Sequence, residues 1–182
     1  MYPHFTSNYL NESRVDLFSM DSASIGMIVD LVILVAFSAY FSATETAFTS
    51  LNRIRLKTKA DNGNHAAARA LAISEEYDKM LTTILIGNNI VNITATTVAT
   101  VLCTKWFREY GPTVSTVALT VIILIFGEVT PKSRAKENPE RFAMSAAPLL
   151  RVLLVVLTPL NFFRTEIKKE PSRSLPAWRR IL

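Results

Sequence analysis

Four apolar stretches alternate with polar, largely basic connections along the chain. The first runs from about Ile25 to Phe48, long enough for the ~20 residues a membrane-spanning helix needs, yet it carries Asp30 and Glu45. The second, about Met80 to Cys103, reads MLTTILIGNNIVNITATTVATVLC and is rich in Thr and Asn. The third, about Val114 to Val129, reads VSTVALTVIILIFGEV, and the fourth, Phe142 to Phe163, is interrupted by Pro148, Arg151 and Pro159. Helix is expected in the spanning stretches, because backbone in hydrocarbon must satisfy its polar groups internally. Between the first two, Ala-rich HAAARALAI and the turn signal Asp61-Asn62-Gly63-Asn64 predict two short helices at the membrane surface.

Lys and Arg orient these elements, since cytoplasmic loops carry the excess. The first connection holds Arg53, Arg55, Lys57, Lys59, Arg69 and Lys79, whereas the residues before Ile25 hold Arg14 alone. Lys105, Arg108 and the turn pair Gly111-Pro112 suit an outer hairpin, and Lys132, Arg134, Lys136 and Arg141 bring the chain back to the cytoplasm. A fourth crossing would export Arg164, Lys168, Lys169, Arg173, Arg179 and Arg180. The fourth stretch is therefore read as a juxtamembrane belt helix or bent hairpin, with Arg151 snorkelling to headgroups; an ordinary fourth span is the alternative.

The resulting expectation is an all-α, multi-pass protein of the plasma (inner) membrane, N-terminus outside and C-terminus cytoplasmic. Residues 1–24 are read as an extracytoplasmic leader. Residues 25–163 form the membrane domain, with spans at about 25–48, 80–103 and 114–129 and the juxtamembrane element at 142–163. Residues 164–182 are read as a basic cytoplasmic tail. The leader lacks the basic start and immediate apolar core of a cleaved signal peptide.

Composition narrows the chemistry. Of 182 residues 49% are hydrophobic, and the net charge is +5, but the basic residues lie between apolar runs and not along one face. Membrane lipids, and not nucleic acid, are the expected partner. Cys103 is the one cysteine, which excludes an intramolecular disulfide and a multi-thiolate metal centre. No Ser-His-Asp set, phosphate-binding Gly loop or H-E-x-x-H pattern occurs, and His4 and His65 are separated by a whole span, so an enzyme is not expected.

Polar residues in hydrocarbon are costly and are expected to face the bundle interior or a water-filled cavity. In FSAYFSATETAF, Ser38, Ser42 and Glu45 stand at i, i+4 and i+7, one face of a helix. In IGNNIVNITATT, Asn88, Asn92 and Thr96 share a face, Asn89 points elsewhere, and Gly87 permits a close helix approach. Such residues also join membrane helices by hydrogen bonds without any ligand. At the end of the third span Pro131 has no N–H, so the Gly127 carbonyl four residues back loses its usual donor, and Glu128 adds a carboxylate beside it. Carbonyl, carboxylate, hydroxyl and amide oxygens are hard donors that suit Mg²⁺, Ca²⁺ or Na⁺. The harmless alternative is Glu128 snorkelling to water or pairing with Lys132 at i+4.

Together FSATETAF, IGNNIVN and FGEVTPK, from about Ile25 to Phe163, resemble the transmembrane domain of the CorC/CNNM (cyclin M) family of magnesium transporters. The resemblance implies a homodimer, each protomer giving three spanning helices and a juxtamembrane belt, with Mg²⁺ bound inside the bundle from a cytoplasm-facing vestibule. It implies magnesium export, often described as sodium-dependent. It assigns as ligands the Ser42 hydroxyl, the Ser38 and Gly127 carbonyls, the Glu128 carboxylate and an asparagine of GNNIVN, with Asn88 favoured over Asn92. Members usually continue into a regulatory CBS pair that binds ATP, and these residues contain none. The runner-up is a non-transporting dimerisation or sensing module with a structural cation.

Overall fold

The computed structural model describes residues 21–157. Most of the expected leader, the end of the juxtamembrane element with Pro159, and the basic tail lie outside them. Every regular element described is helical: α1 Ser22–Ser50, α2 Arg53–Asp61, α3 His65–Glu75, α4 Tyr77–Phe107, a 3₁₀ turn Arg108–Tyr110, α5 Gly111–Ile122, a π-helical segment Ile123–Val129, α6 Thr130–Glu137 and α7 Pro139–Val156.

Two helical runs among these residues are long and apolar enough to cross a membrane, Ser22–Ser50 and Tyr77–Glu137. The second doubles back. Arg108 takes a left-handed φ of 48°, which ends α4, and α5 then packs along α4. Gly111 makes the hairpin close: a Cβ there would lie 2.3 Å from Thr104 Cα and 2.5 Å from Thr104 N. Thr100 and Ser115 hydroxyls, 3.2 Å apart, tie the arms together. Backbone cannot yield as a flexible side chain does, so Gly111→Ala is expected to destabilise the fold by about 1–3 kcal/mol. Thermal melting of the purified variant checks this; an unchanged Tm would mean the hairpin opens freely.

α5, the π segment and α6 follow without a break, so the third rod runs about 40 Å from Gly111 to Glu137 at 1.5 Å per residue. The sequence placed its end near Val129; the rod continues as helix through Pro131, the second residue of α6. The rods are apolar on the outside. On α1 the side chains of Ile25, Val29, Val32, Ile33 and Phe37 are all exposed, one helical stripe, and the third rod exposes Val121, Leu124, Ile125 and Phe126. An apolar exterior of this extent fits hydrocarbon and not water.

The predicted turn forms as expected. Gly63 supplies a φ of +85°, and Asn64 caps α3 by accepting from the Ala66 and Ala67 amides, both at 3.0 Å. α2 and α3 pack on each other, and α7 lies across α1 and α3. α7 buries Ala143, Ala147, Leu150 and Leu154, spaced four, three and four apart. Tyr40 of α1 donates to the Ala146 carbonyl at 2.9 Å, and Arg55 of α2 reaches the buried Glu140 at 3.5 Å. Through Pro148 the backbone stays one helix to Val156, so the hairpin alternative is not the form of residues 139–156.

At the opposite end Asp21 caps α1, accepting from the Ser24 amide at 3.0 Å and hydroxyl at 2.6 Å, while Lys105 of α4 pairs with it at 2.5 Å. The Lys105 and Ser24 hydrogen bonds hold the Asp21 carboxyl well below the usual carboxylate range. With its folded value depressed, this contribution is present above the unfolded carboxylate pKa and is lost as pH falls toward the folded one.

Candidate cation site

α1 is the central rod, in contact with α4, the π segment, α6 and α7. Two apolar clusters grip it. One gathers Phe41, Ala47, Phe48, Ile84, Ala135 and Leu150; the other gathers Ala95, Ala99 and Leu119, with Leu31, Leu34 and Ile123 against it. Several of the polar residues singled out from sequence fall between these clusters: Ser38 on α1, Asn88 and Asn92 on α4, Gly127 and Glu128 on the π segment, whereas Ser42 lies within the first cluster and Thr96 beside Ala95 of the second. The bundle thus has apolar, polar and apolar layers.

Within the polar layer Ser38 Oγ donates to Asn88 Oδ1 at 3.3 Å. Ser38 and Ser42 are each only 1% exposed. Gly127 is buried against Ser38, whose Oγ would stand 3.1 Å from a Cβ at that position. The glycine therefore lets a hydroxyl approach the third rod's backbone, and three separate helices meet at Ser38, Asn88 and Gly127.

Next to this contact a cavity of about 280 Å³ is lined by Asn92, Thr96, Thr116, Thr120 and Glu128 among others. Asn92 Oδ1 is buried without a hydrogen-bond partner. An orphaned amide oxygen normally costs roughly 1–3 kcal/mol. Here it shares its cavity with a carboxylate, and both are acceptors that a cation would satisfy together.

The π segment makes this cavity. In an uninterrupted α-helix Glu128, twelve residues after Thr116, would be rotated about 120° from it at 100° per residue. One residue inserted by the wider π turn removes about 100° of that, so Glu128 joins Thr116 and Thr120 on one face. The Thr130 amide accordingly donates five residues back, to the Ile125 carbonyl. Pro131 then brings no amide to Gly127, four residues back, or to Phe126, five back.

Other expectations fare differently. Glu45 is exposed while Ser38 and Ser42 are buried, so its carboxylate does not join the two hydroxyls as the i, i+7 spacing suggested. Asn89 is exposed, as expected. Gly87 seats the Phe41 ring, whose Cζ would be 2.5 Å from an added Cβ, so the close approach is to a side chain of α1. The Glu128–Lys132 pair does not form; the ion pairs among the described residues are Arg55–Glu140, Lys79–Glu76 and Lys105–Asp21. Thr116 and Thr120 were overlooked, although their i, i+4 spacing in an apolar run was a visible signal. Among the described residues no three His, Cys, Asp or Glu cluster, so negative charge at the cavity rests on Glu128, beside the neutral oxygens of Asn92, Thr96, Thr116 and Thr120 and the apolar Leu119, Ile123 and Leu124.

An apolar exterior, with buried Ser38 and Gly127 at a contact of three helices and a part-polar cavity beside it, defines an all-helical membrane protein with polar groups among its rods. The model of the cyclin M transmembrane N-terminal domain matches residues 30–168, and the chain belongs to that family. It is 37% identical over 142 residues to a UPF0053 protein of Haemophilus influenzae, covering 78% of this chain and 34% of that one. It is 38% identical over 132 residues to the Escherichia coli UPF0053 inner membrane protein YfjD, covering 72% and 31%. With the Escherichia coli polyamine export protein it shares 29% identity over 149 residues, covering 75% and 33%. The chain spans about a third of the length of these relatives.

Proposed function

We propose that this chain is the membrane domain of a Mg²⁺ transporter. Its cargo is held by Glu128, Asn92, the Gly127 carbonyl, Ser38 and Ser42, with Asn88 holding Ser38 in place or exchanging with it as a ligand. The observation that carries the reading is the buried, unpartnered Asn92 Oδ1 in one cavity with Glu128, next in sequence to Gly127, whose α-helical donor position is taken by Pro131. Mg²⁺ wants near-octahedral oxygen ligands at about 2.0–2.1 Å and sheds water reluctantly, so several neutral oxygens and one carboxylate suit a partly hydrated ion that must also leave.

The rest of the proposal follows from the charge pattern and the family. Three rods cross, the Arg108 hairpin lies outside, and α2, α3 and α7 form a cytoplasmic collar. Two protomers associate, and alternating exposure of the polar layer exports Mg²⁺, with Na⁺ as the coupling ion. In longer relatives a CBS pair regulates this cycle.

Export of an organic polycation is the second reading, since one relative is named for polyamine export. A polyamine carries several separated charges and needs several carboxylates along its length. The 280 Å³ cavity has Glu128 as its one acidic lining residue among the described residues, which favours a compact cation. Reconstituted into liposomes with an internal Mg²⁺ dye, the protein is expected to carry Mg²⁺ down an imposed gradient, with spermidine not competing. Binding without flux would overturn the transporter reading in favour of a sensing module; spermidine flux without Mg²⁺ flux would overturn the choice of cargo.

A further inference from the structure

A second cavity, about 620 Å³ in volume, lies between α3 and α7, away from the polar layer. His65, Arg69, Lys79 and Arg151 line it, with Glu76 as the opposing carboxylate. Glu76 pairs with Lys79 at 3.0 Å, and the ion pairs among the described residues leave Arg69 and Arg151 out. Two guanidiniums with no ion-pair partner among the described residues, and an imidazole, from two helices therefore face one space. Guanidinium forks match phosphate oxygens better than any other side chain does.

The other wall is apolar. Leu154 and Val155 also line the cavity, and Val155 is 70% exposed. It continues into an exposed stripe of α7, where Leu149, Val152 and Val156 are 42%, 57% and 62% exposed. α7 thus buries one stripe against α1 and α3 and leaves a second apolar stripe at the cavity's rim. A soluble phosphate would use the cations and leave this rim wet, whereas an amphiphile with an anionic head and alkyl chains uses both. The chain's own residues 158–182 are the wrong sign to fill it, with six Lys or Arg against two Glu.

We propose that the α3–α7 cavity is a binding site for the headgroup of an anionic phospholipid, its acyl chains lying along Leu149, Val152 and Val156. Sequence alone anticipated Arg151 snorkelling by itself; the structure adds Arg69, His65 and a cavity for the head. Occupancy would tie the collar helix α3 to α7, and through Tyr40 and Ala146 to α1.

The test is thermal melting of the detergent-purified chain with added phosphatidylglycerol, phosphatidylcholine or inorganic phosphate, with native mass spectrometry counting retained lipids. Phosphatidylglycerol is expected to raise Tm by several degrees and phosphatidylcholine and phosphate by none, following mass action for a ligand of the folded state. In Arg69→Gln/Arg151→Gln the shift and the retained lipid should fall by more than half. Arg69→Lys/Arg151→Lys should recover part of both, and Lys57→Gln/Arg134→Gln, outside the cavity, should lose neither. Equal shifts from both lipids, an equal loss in the Lys57/Arg134 control, or a phosphate shift matching that of phosphatidylglycerol would each overturn the proposal. Should the double Gln variant fail to fold, the Lys variant decides: lipid retention at less than half the wild-type level would mean guanidinium geometry is used, and full retention that it is not.

Discussion

Glu128→Gln is expected to weaken Mg²⁺ binding by more than about a hundredfold, or roughly 2.7 kcal/mol, while the protein stays folded. Glutamine keeps the size and one oxygen of the side chain, so the variant isolates charge. That charge is the one carboxylate among the described residues lining the cavity, and inside a low-dielectric bundle it is screened far less than at a surface. Its removal costs no ion pair among the described residues, where Glu128 forms none with Lys132 or any other cation. An uncompensated carboxylate within a membrane is itself unfavourable. The ligand-free variant should therefore melt no lower than wild type, and lost binding could not be blamed on unfolding. Calorimetry with Na⁺ and Ca²⁺ as competitors gives the answer; an affinity within threefold of wild type would remove Glu128 from the site.

How far the sequence reached depended on which physical signal each element carries. The rods were legible because length and apolarity are strong, local and cumulative, and the α2–α3 turn because Gly63 and Asn64 each have a specific backbone job. Pro131 was legible as a missing donor, since that is a covalent fact. The π segment was not, because no residue type marks it: ILIFGEV would serve an α-helix equally well. Missing it hid the alignment of Glu128 with Thr116 and Thr120. It also hid what separates the two asparagines. On α4 they share a face, but Asn88 meets Ser38 whereas Asn92 is left facing the Glu128 cavity. Glu45 shows the opposite failure, a face predicted by periodicity that the bundle buries only in part.

Pro131→Ala is expected to lower Mg²⁺ affinity by roughly ten- to a hundredfold, the scale on which metal sites respond to lost supporting interactions, while leaving Tm equal or raised. In the wild type the Thr130 amide is spent on Ile125, and position 131 has none to give. Alanine supplies one. Resuming the α register, it donates to Gly127 and competes with the cation for that carbonyl; continuing the π register, it donates to Phe126 and extends the wide turn past Glu128. Either hydrogen bond favours the empty helix, since alanine also removes the ring that crowds the carbonyl four residues back. Stability and affinity should thus move in opposite directions, which a merely damaged fold would not produce. If instead affinity is unchanged and Tm rises, the Gly127 carbonyl is no ligand, and the proline serves only to end the π turn. Combined with Glu128→Gln, the two losses should fall short of additive, because residues 127 and 128 present their oxygens to one ion.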